Sequence, residues 1–194
     1  MPHTIFGQLK SGMCFHMTEV ISLLRHVSLA ERQNTMEDSL AIAVGDALRA
    51  RGWWLATAES CTGGLVLHRL TNIPGSSGYV LGGVVAYDNR IKQGLLGVGA
   101  ATLAAHGAVS AETAAEMAQG ALVRLGADIA VSITGIAGPG GGTLEKPVGL
   151  TYIGAARARG AATVERHVWQ GDRLAVKMQS ADAALRLLLR LIAD

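Results

Sequence analysis

Trp53–Trp54–Leu55–Ala56–Thr57–Ala58–Glu59–Ser60–Cys61–Thr62–Gly63–Gly64–Leu65–Val66–Leu67–His68–Arg69–Leu70 changes character twice along its length. It opens as an apolar, strand-like run and closes as a helical one. Where the two meet stand a carboxylate, a hydroxyl, a thiol, a second hydroxyl and two glycines. The first N–H groups of a helix have no partner within it and carry the positive end of its dipole, so a nucleophile or an oxyanion is stabilised there. The same residues serve equally well as plain architecture, with Ser60 or Thr62 capping the helix and Gly63 and Gly64 allowing the turn.

Outward from this turn, apolar strands keep alternating with helices. Thr35 and Asp38 resemble a capping box ahead of a helix over about 36–51, which Gly52 closes. The spacing predicts strands at 53–58 and 79–86, joined by a helix over 64–71 and a Pro74–Gly75–Ser76–Ser77 turn. Short helical pieces open at Asn89 and around Ala101–Ala105. Ser110 caps a longer helix to about Leu125, with Gly126 beyond its end. A compact strand, Ile129–Thr134, leads into a glycine-rich loop over 135–147. Strands at 148–156 and 162–169 read as a hairpin, and a last helix runs over about 172–192. This order predicts a single α/β domain of three α/β/α layers on a mixed, mainly parallel sheet.

Composition agrees. The chain has 194 residues, enough for one domain with a sizeable core, and 49% hydrophobic but only 4% aromatic residues imply an aliphatic core. The formal net charge of +2, without a run of Lys or Arg, argues against a nucleic-acid partner. Cys14 and Cys61 form no disulfide framework or zinc spacing, and the histidines stand singly, so neither a metal nor another cofactor is expected. No signal-peptide pattern and no run of about 18 apolar residues occurs, which points to a cytoplasmic protein off the membrane. Residues 1–35 differ from the rest. They hold Cys14 and half the methionines, with a short amphipathic pattern over Met17–Val27, and read as an extension ahead of a domain over 36–194.

Three further clusters carry polar chemistry. Tyr87–Asp88–Asn89–Arg90–Ile91–Lys92 follows a strand end, where Asn89 could simply cap a helix. The 135–147 loop could form an anion-binding nest through its consecutive N–H groups, and loops of that length in compact domains are usually functional or disordered. Gly171–Asp172–Arg173 opens the last helix, with Asp172 as a possible cap. Neither GxxxxGK[ST] nor GxGxxG occurs.

Taken in order, AESCTGG, PGSS, GGVVAYDNRIKQGLLGV, HGAVSAETAAEMAQGA, ADIAVSITGIAGPGGGTLEKPVG and the final GDR resemble the CinA C-terminal-domain family. The resemblance runs from about residue 36 to the end. The family's characterised enzymes are nicotinamide-nucleotide amidohydrolases. Its larger members add a molybdopterin-binding-like domain, which a chain of this length has no room for, so the stand-alone form is implied. The resemblance thus implies hydrolysis of the carboxamide of nicotinamide mononucleotide, a small pyridine nucleotide, to nicotinic acid mononucleotide and ammonia.

A carboxamide is a poor electrophile, so a nucleophile, an oxyanion site and an acid for the departing ammonia are needed. Ser60 is the nucleophile the resemblance favours, with Cys61 and Thr62 as rivals. Lys92 is the base, since no histidine is suitably placed, and it requires a lowered pKa. Tyr87 relays or orients the proton. N–H groups over Thr62–Gly64 are the oxyanion donors, and Glu59 faces the cationic ring. Asn89 borders the substrate, while Gly138, Gly140 and Arg173 hold the phosphate. If one proton passes between Ser60 and Lys92, their side chains lie within about 3–4 Å. A different class of function stays open, a non-catalytic nucleotide-binding or competence- and recombination-associated module, and a homo-oligomer is compatible with either.

Overall fold

The computed structural model describes residues 38–158 and 160–194. Thr35 and the Met17–Val27 pattern lie outside them. Among the described residues five strands build one sheet: β1 (Leu55–Glu59), β2 (Val80–Val85), β3 (Ile129–Gly135), β4 (Leu150–Arg157) and β5 (Thr163–Val168). Six α-helices among the described residues accompany them: α1 (Ser39–Arg51), α2 (Leu65–Thr71), α3 (Asn89–Leu96), α4 (Ala100–His106), α5 (Ala111–Leu125) and α6 (Arg173–Ala193).

The strand order is β2-β1-β3-β4-β5. β1 pairs in parallel with β2 and β3, while β3–β4 and β4–β5 are antiparallel. The sheet is therefore mixed. β4 alone runs against the other strands, although parallel and antiparallel pairings are equal in number. All of β1 is buried, as a strand covered by helices on both faces must be.

Alternation along the strands sorts the core into two layers. Leu55, Ile129, Val131, Ile133 and Ile153 face one side and meet apolar residues of α1, α2 and α6. Ala56, Ala58, Ala130 and Ala156 face the other, against Leu96, Met117, Ala118 and Ala121. The second face is small-residued for a reason. A Cβ on Gly154 would stand 2.6 Å from the Ala114 carbonyl oxygen, so α5 approaches the strands closely only because that atom is missing. Ser132 Oγ, buried in this layer, donates to the same carbonyl at 2.6 Å.

Helix ends mostly follow the sequence signals, with two corrections. Asp38 caps α1, its carboxylate accepting from Ala41 N at 3.1 Å. Asp88, not Asn89, caps α3, accepting from Arg90 N at 2.8 Å, because its side chain precedes the first helical N–H groups. Ser110 and Asp172 cap α5 and α6 as their positions suggest.

Candidate active site

The chain leaves β1 to form β2 on one side and then crosses back to form β3 on the other. The strand order thus reverses at β1–β3, and open α/β sheets hold their ligands at such a point, beyond the carboxyl ends of the strands. A cavity of about 290 Å³ lies there, bordered by Ser60, Cys61, Tyr87, Asn89, Lys92 and Arg173. Its other walls are the Ala108–Val109 junction ahead of α5, Thr134, and the start of the glycine-rich loop, including Gly138 and Gly140.

Ser60 follows the last residue of β1, and its N–H is fixed by the Ile133 carbonyl of β3 at 2.9 Å. Lys92 lies on the second turn of α3. Its Nζ reaches to 3.2 Å from Ser60 Oγ, although a helix, a turn and a strand separate the two in sequence. Lys92 is only 1% exposed. Nζ also donates to the Ala86 carbonyl at 2.7 Å and to the Tyr87 carbonyl at 3.3 Å. No carboxylate among the described residues bonds it. Burial disfavours the ammonium and holds the lysine below its ordinary pKa. A neutral amine has two hydrogens and a lone pair. The two carbonyls account for the hydrogens and leave the lone pair facing Ser60 Oγ.

Cys61 also borders the cavity, but it is 6% exposed and burial pushes its thiol up to about 11. At neutral pH it is a thiol, not a thiolate, which disfavours it as a nucleophile. Thr62 is fully buried, and its Oγ1 has no hydrogen-bond partner among the described residues. It neither caps α2 nor borders the cavity.

The residues expected around the turn divide. Glu59, 1% exposed, accepts from the N–H groups of Gly64, Val66 and Leu67 at 3.0, 3.2 and 2.9 Å. It caps α2 from beneath and does not border the cavity, contrary to its expected place beside a cationic ring. The N-terminus of α2 is therefore already occupied by an anion of the chain's own. Gly63 N donates to the Ser60 carbonyl and Gly64 N to Glu59, so neither is free for an oxyanion. Both glycines have positive φ, which is what the turn asks of them. Among the described residues, the N–H groups of Cys61, Thr62 and Leu65 at this turn have neither a backbone carbonyl nor Glu59 as acceptor.

Tyr87 is on the cavity rim but 63% exposed. Its hydroxyl accepts from Arg173 Nη2 at 3.2 Å, and its backbone carbonyl, not its ring, touches Lys92. This places the phenol away from the proton path expected of it. Arg173 Nη1 donates to the Gly138 carbonyl at 2.9 Å, so the guanidinium bridges the cavity mouth from Tyr87 to the glycine loop. Among the described residues, no three His, Cys, Asp or Glu side chains converge as a metal site would require. No helix among them is long and apolar enough to cross a membrane.

The sequence did not single out Ala108, Val109 and Thr134. Thr134 Oγ1 donates to the Ala108 carbonyl at 2.6 Å and so holds the α4–α5 junction against the end of β3. The usable signal was topological. Parallel neighbours end at the same edge, so the end of β3 must lie beside Ser60.

Fold and site together define an α/β domain with a buried serine–lysine pair at the strand ends of a mixed sheet. Residues 37–192 match the CinA C-terminal domain, and the chain belongs to that family. It is 53% identical over 152 residues to a CinA-like protein of Chloroherpeton thalassium, an overlap of 77% of this chain and 36% of that one. It is 48% identical over 151 residues to the nicotinamide-nucleotide amidohydrolase PncC of Enterobacter agglomerans, covering 78% of this chain and 92% of that protein. Among solved structures, the competence/damage inducible protein CihA from Agrobacterium tumefaciens superposes with a TM-score of 0.77 at 43% identity. That match covers 79% of this chain and 93% of the other. Several curated relatives are much longer, and this chain spans only about two-fifths of their length.

Proposed function

We propose that this protein is a nicotinamide-nucleotide amidohydrolase, converting nicotinamide mononucleotide and water to nicotinic acid mononucleotide and ammonia. The observation that carries the proposal is the buried Lys92 Nζ, 3.2 Å from Ser60 Oγ and without a carboxylate partner among the described residues. It is supported by the similarity to a protein named for this activity across nearly that protein's whole length.

Neutral Lys92 takes the Ser60 proton as Oγ attacks the carboxamide carbon. The carbonyl oxygen becomes an oxyanion, for which the N–H groups of Cys61 and Thr62 are the donors that follow Ser60 directly in the turn. Lys92, now an ammonium, returns its proton to the amide nitrogen, and the C–N bond breaks to give an ester on Ser60 and ammonia. Water then attacks that ester with Lys92 as base, freeing the carboxylate and restoring the serine. Asn89 borders the substrate, while Gly138, Gly140 and Arg173 lie where a phosphate would be held, with the guanidinium keeping donors beyond the two already engaged. The serine–lysine arrangement matches one that recurs on unrelated folds.

An ester on Ser60 can be intercepted. Hydroxylamine added to a reaction with nicotinamide mononucleotide should divert the acyl group to a hydroxamate, detectable by mass. Ser60→Ala should lower turnover by at least about a thousandfold, whereas Cys61→Ala should keep most of it. Full activity in Ser60→Ala would end the serine mechanism. Binding of pyridine nucleotides with no ammonia release from any of them would return the domain to a binding role.

A further inference from the structure

Neighbouring antiparallel strands can be joined by two residues. Between β3 and β4 the chain instead takes an excursion over 136–149, so sheet topology does not account for it. Its base is closed by Ile136 N to the Leu150 carbonyl and Gly149 N to the Ile136 carbonyl, both at 2.8 Å. Its far end turns back on itself, with Thr143 N donating to the Lys146 carbonyl and Lys146 N to Thr143 Oγ1. Between these two points lie Gly138, Gly140, Gly141 and Gly142, the first three of which border the cavity. Such a run has high backbone entropy and keeps one shape only if something holds it.

Among the described residues, two side-chain hydrogen bonds leave the 137–147 segment. Arg173 Nη1 donates to the Gly138 carbonyl on the cavity side. Lys146 Nζ donates to the His106 carbonyl at 2.6 Å on the outer side. His106 is the last residue of α4, so its carbonyl has no helical partner of its own and lies at the negative end of the helix. An ammonium there makes a charge-assisted bond. The chain then continues from His106 through Gly107 into Ala108 and Val109, another wall of the cavity. Lys146 thus ties the far end of the glycine loop to the segment that leads into the Ala108–Val109 wall, without itself bordering the cavity.

We propose that Lys146 is a positioning residue for the candidate active site, fixing the glycine-loop wall against the α4–α5 wall and so setting the affinity for the nucleotide substrate. It rests on the amidohydrolase proposal only for the identity of that substrate. Lys146 touches no reacting atom, so the expected effect is on binding and not on the chemical step.

The test compares Lys146→Met, which keeps the length and removes the charge, with Lys146→Arg, which can still donate to the carbonyl. Two measurements are made on the full chain: amide hydrogen exchange over 138–146, and KM and kcat for nicotinamide mononucleotide. Lys146→Met should speed exchange in the loop and raise KM, each by about tenfold, the scale of losing one charge-assisted hydrogen bond. Its kcat should stay within about twofold, since uniform binding alone is lost. Lys146→Arg should recover most of both. Unchanged loop exchange in Lys146→Met would overturn the clamp, and faster exchange with unchanged KM would overturn its link to the site. No turnover in the unsubstituted protein would instead defeat the amidohydrolase reading, and the exchange result would still decide the clamp.

Discussion

A lysine placed where water scarcely reaches it has its charge set by its surroundings. Lys92 is buried beside two carbonyls and a hydroxyl, and burial lowers its pKa from the ordinary lysine value near 10.5. The sign of the stability effect follows. In the pH range between the lowered folded pKa and 10.5, the unfolded chain binds more protons than the folded one, so stability rises with pH there. Below that range both states are protonated, and the full penalty of burying the ammonium is felt. Lys92→Met removes the titrating group while filling similar volume. Urea unfolding followed from neutral to alkaline pH should show this rise in the unsubstituted protein and lose that component in Lys92→Met, which should also be inactive. Activity should climb over the same range as the amine is freed. A pH-independent difference in stability between the two proteins would mean that Lys92 titrates normally despite its position.

At the scale of elements, the position of Lys92 depends on a contact made elsewhere. It is carried by α3, whose last residue, Leu96, lies against Gly120 of α5. A Cβ on Gly120 would stand 1.9 Å from the Leu96 carbonyl oxygen, a backbone atom that a rotamer change cannot move aside. Gly120→Ala must therefore push α3 from α5, at a cost of about 1–3 kcal/mol for overpacking. Because α3 also delivers Nζ to Ser60, activity should fall more than the loss of stability alone explains. Thermal melts and turnover measured well below the melting temperature check both effects. Unaltered turnover would mean that α3 tolerates the shift without moving Lys92. This coupling could not be read in the sequence, where Gly120 is an ordinary helical glycine. The elements themselves could be. Ser110, Gly126 and the apolar periods announced α5, and the alternating order announced the layers. Individual side-chain duties were less legible. Glu59, Gly63 and Gly64 stand in the motif beside Ser60, yet their hydrogen bonds are directed into the turn and α2, which a linear sequence does not display. Tyr87 is similar: the family resemblance implied a proton relay, while the strand end turns its ring toward Arg173 and leaves only its carbonyl near the amine.

At the scale of the whole molecule, we expect the domain to need little ahead of its first described residue. The sheet over 38–194 is covered on both faces by its own helices, and the family match spans 37–192. Asp38 is the residue at which this self-sufficiency should end. Its carboxylate caps α1 and also receives Arg69 Nε at 2.5 Å and Nη2 at 2.9 Å. Arg69 in turn donates to Asp182 of α6 at 2.6 Å, so one side chain at the start of the domain joins α1, α2 and α6. The guanidinium holds the Asp38 carboxyl below its ordinary pKa, so its contribution is present above about pH 4 and fades as the pH falls through the lowered value. A chain beginning at Met36 should keep the melting temperature and the activity of the full chain. One beginning at Ser39 should lose about 1–2 kcal/mol with the cap alone, a fall of roughly 2–8 °C for a domain of this size. That deficit should shrink as the pH drops below 4, because the full chain then loses the same interaction. Equal melting temperatures for the two truncated chains at neutral pH would show that Asp38 is not the anchor its contacts describe. A large loss already at Met36 would show that the domain depends on residues further upstream.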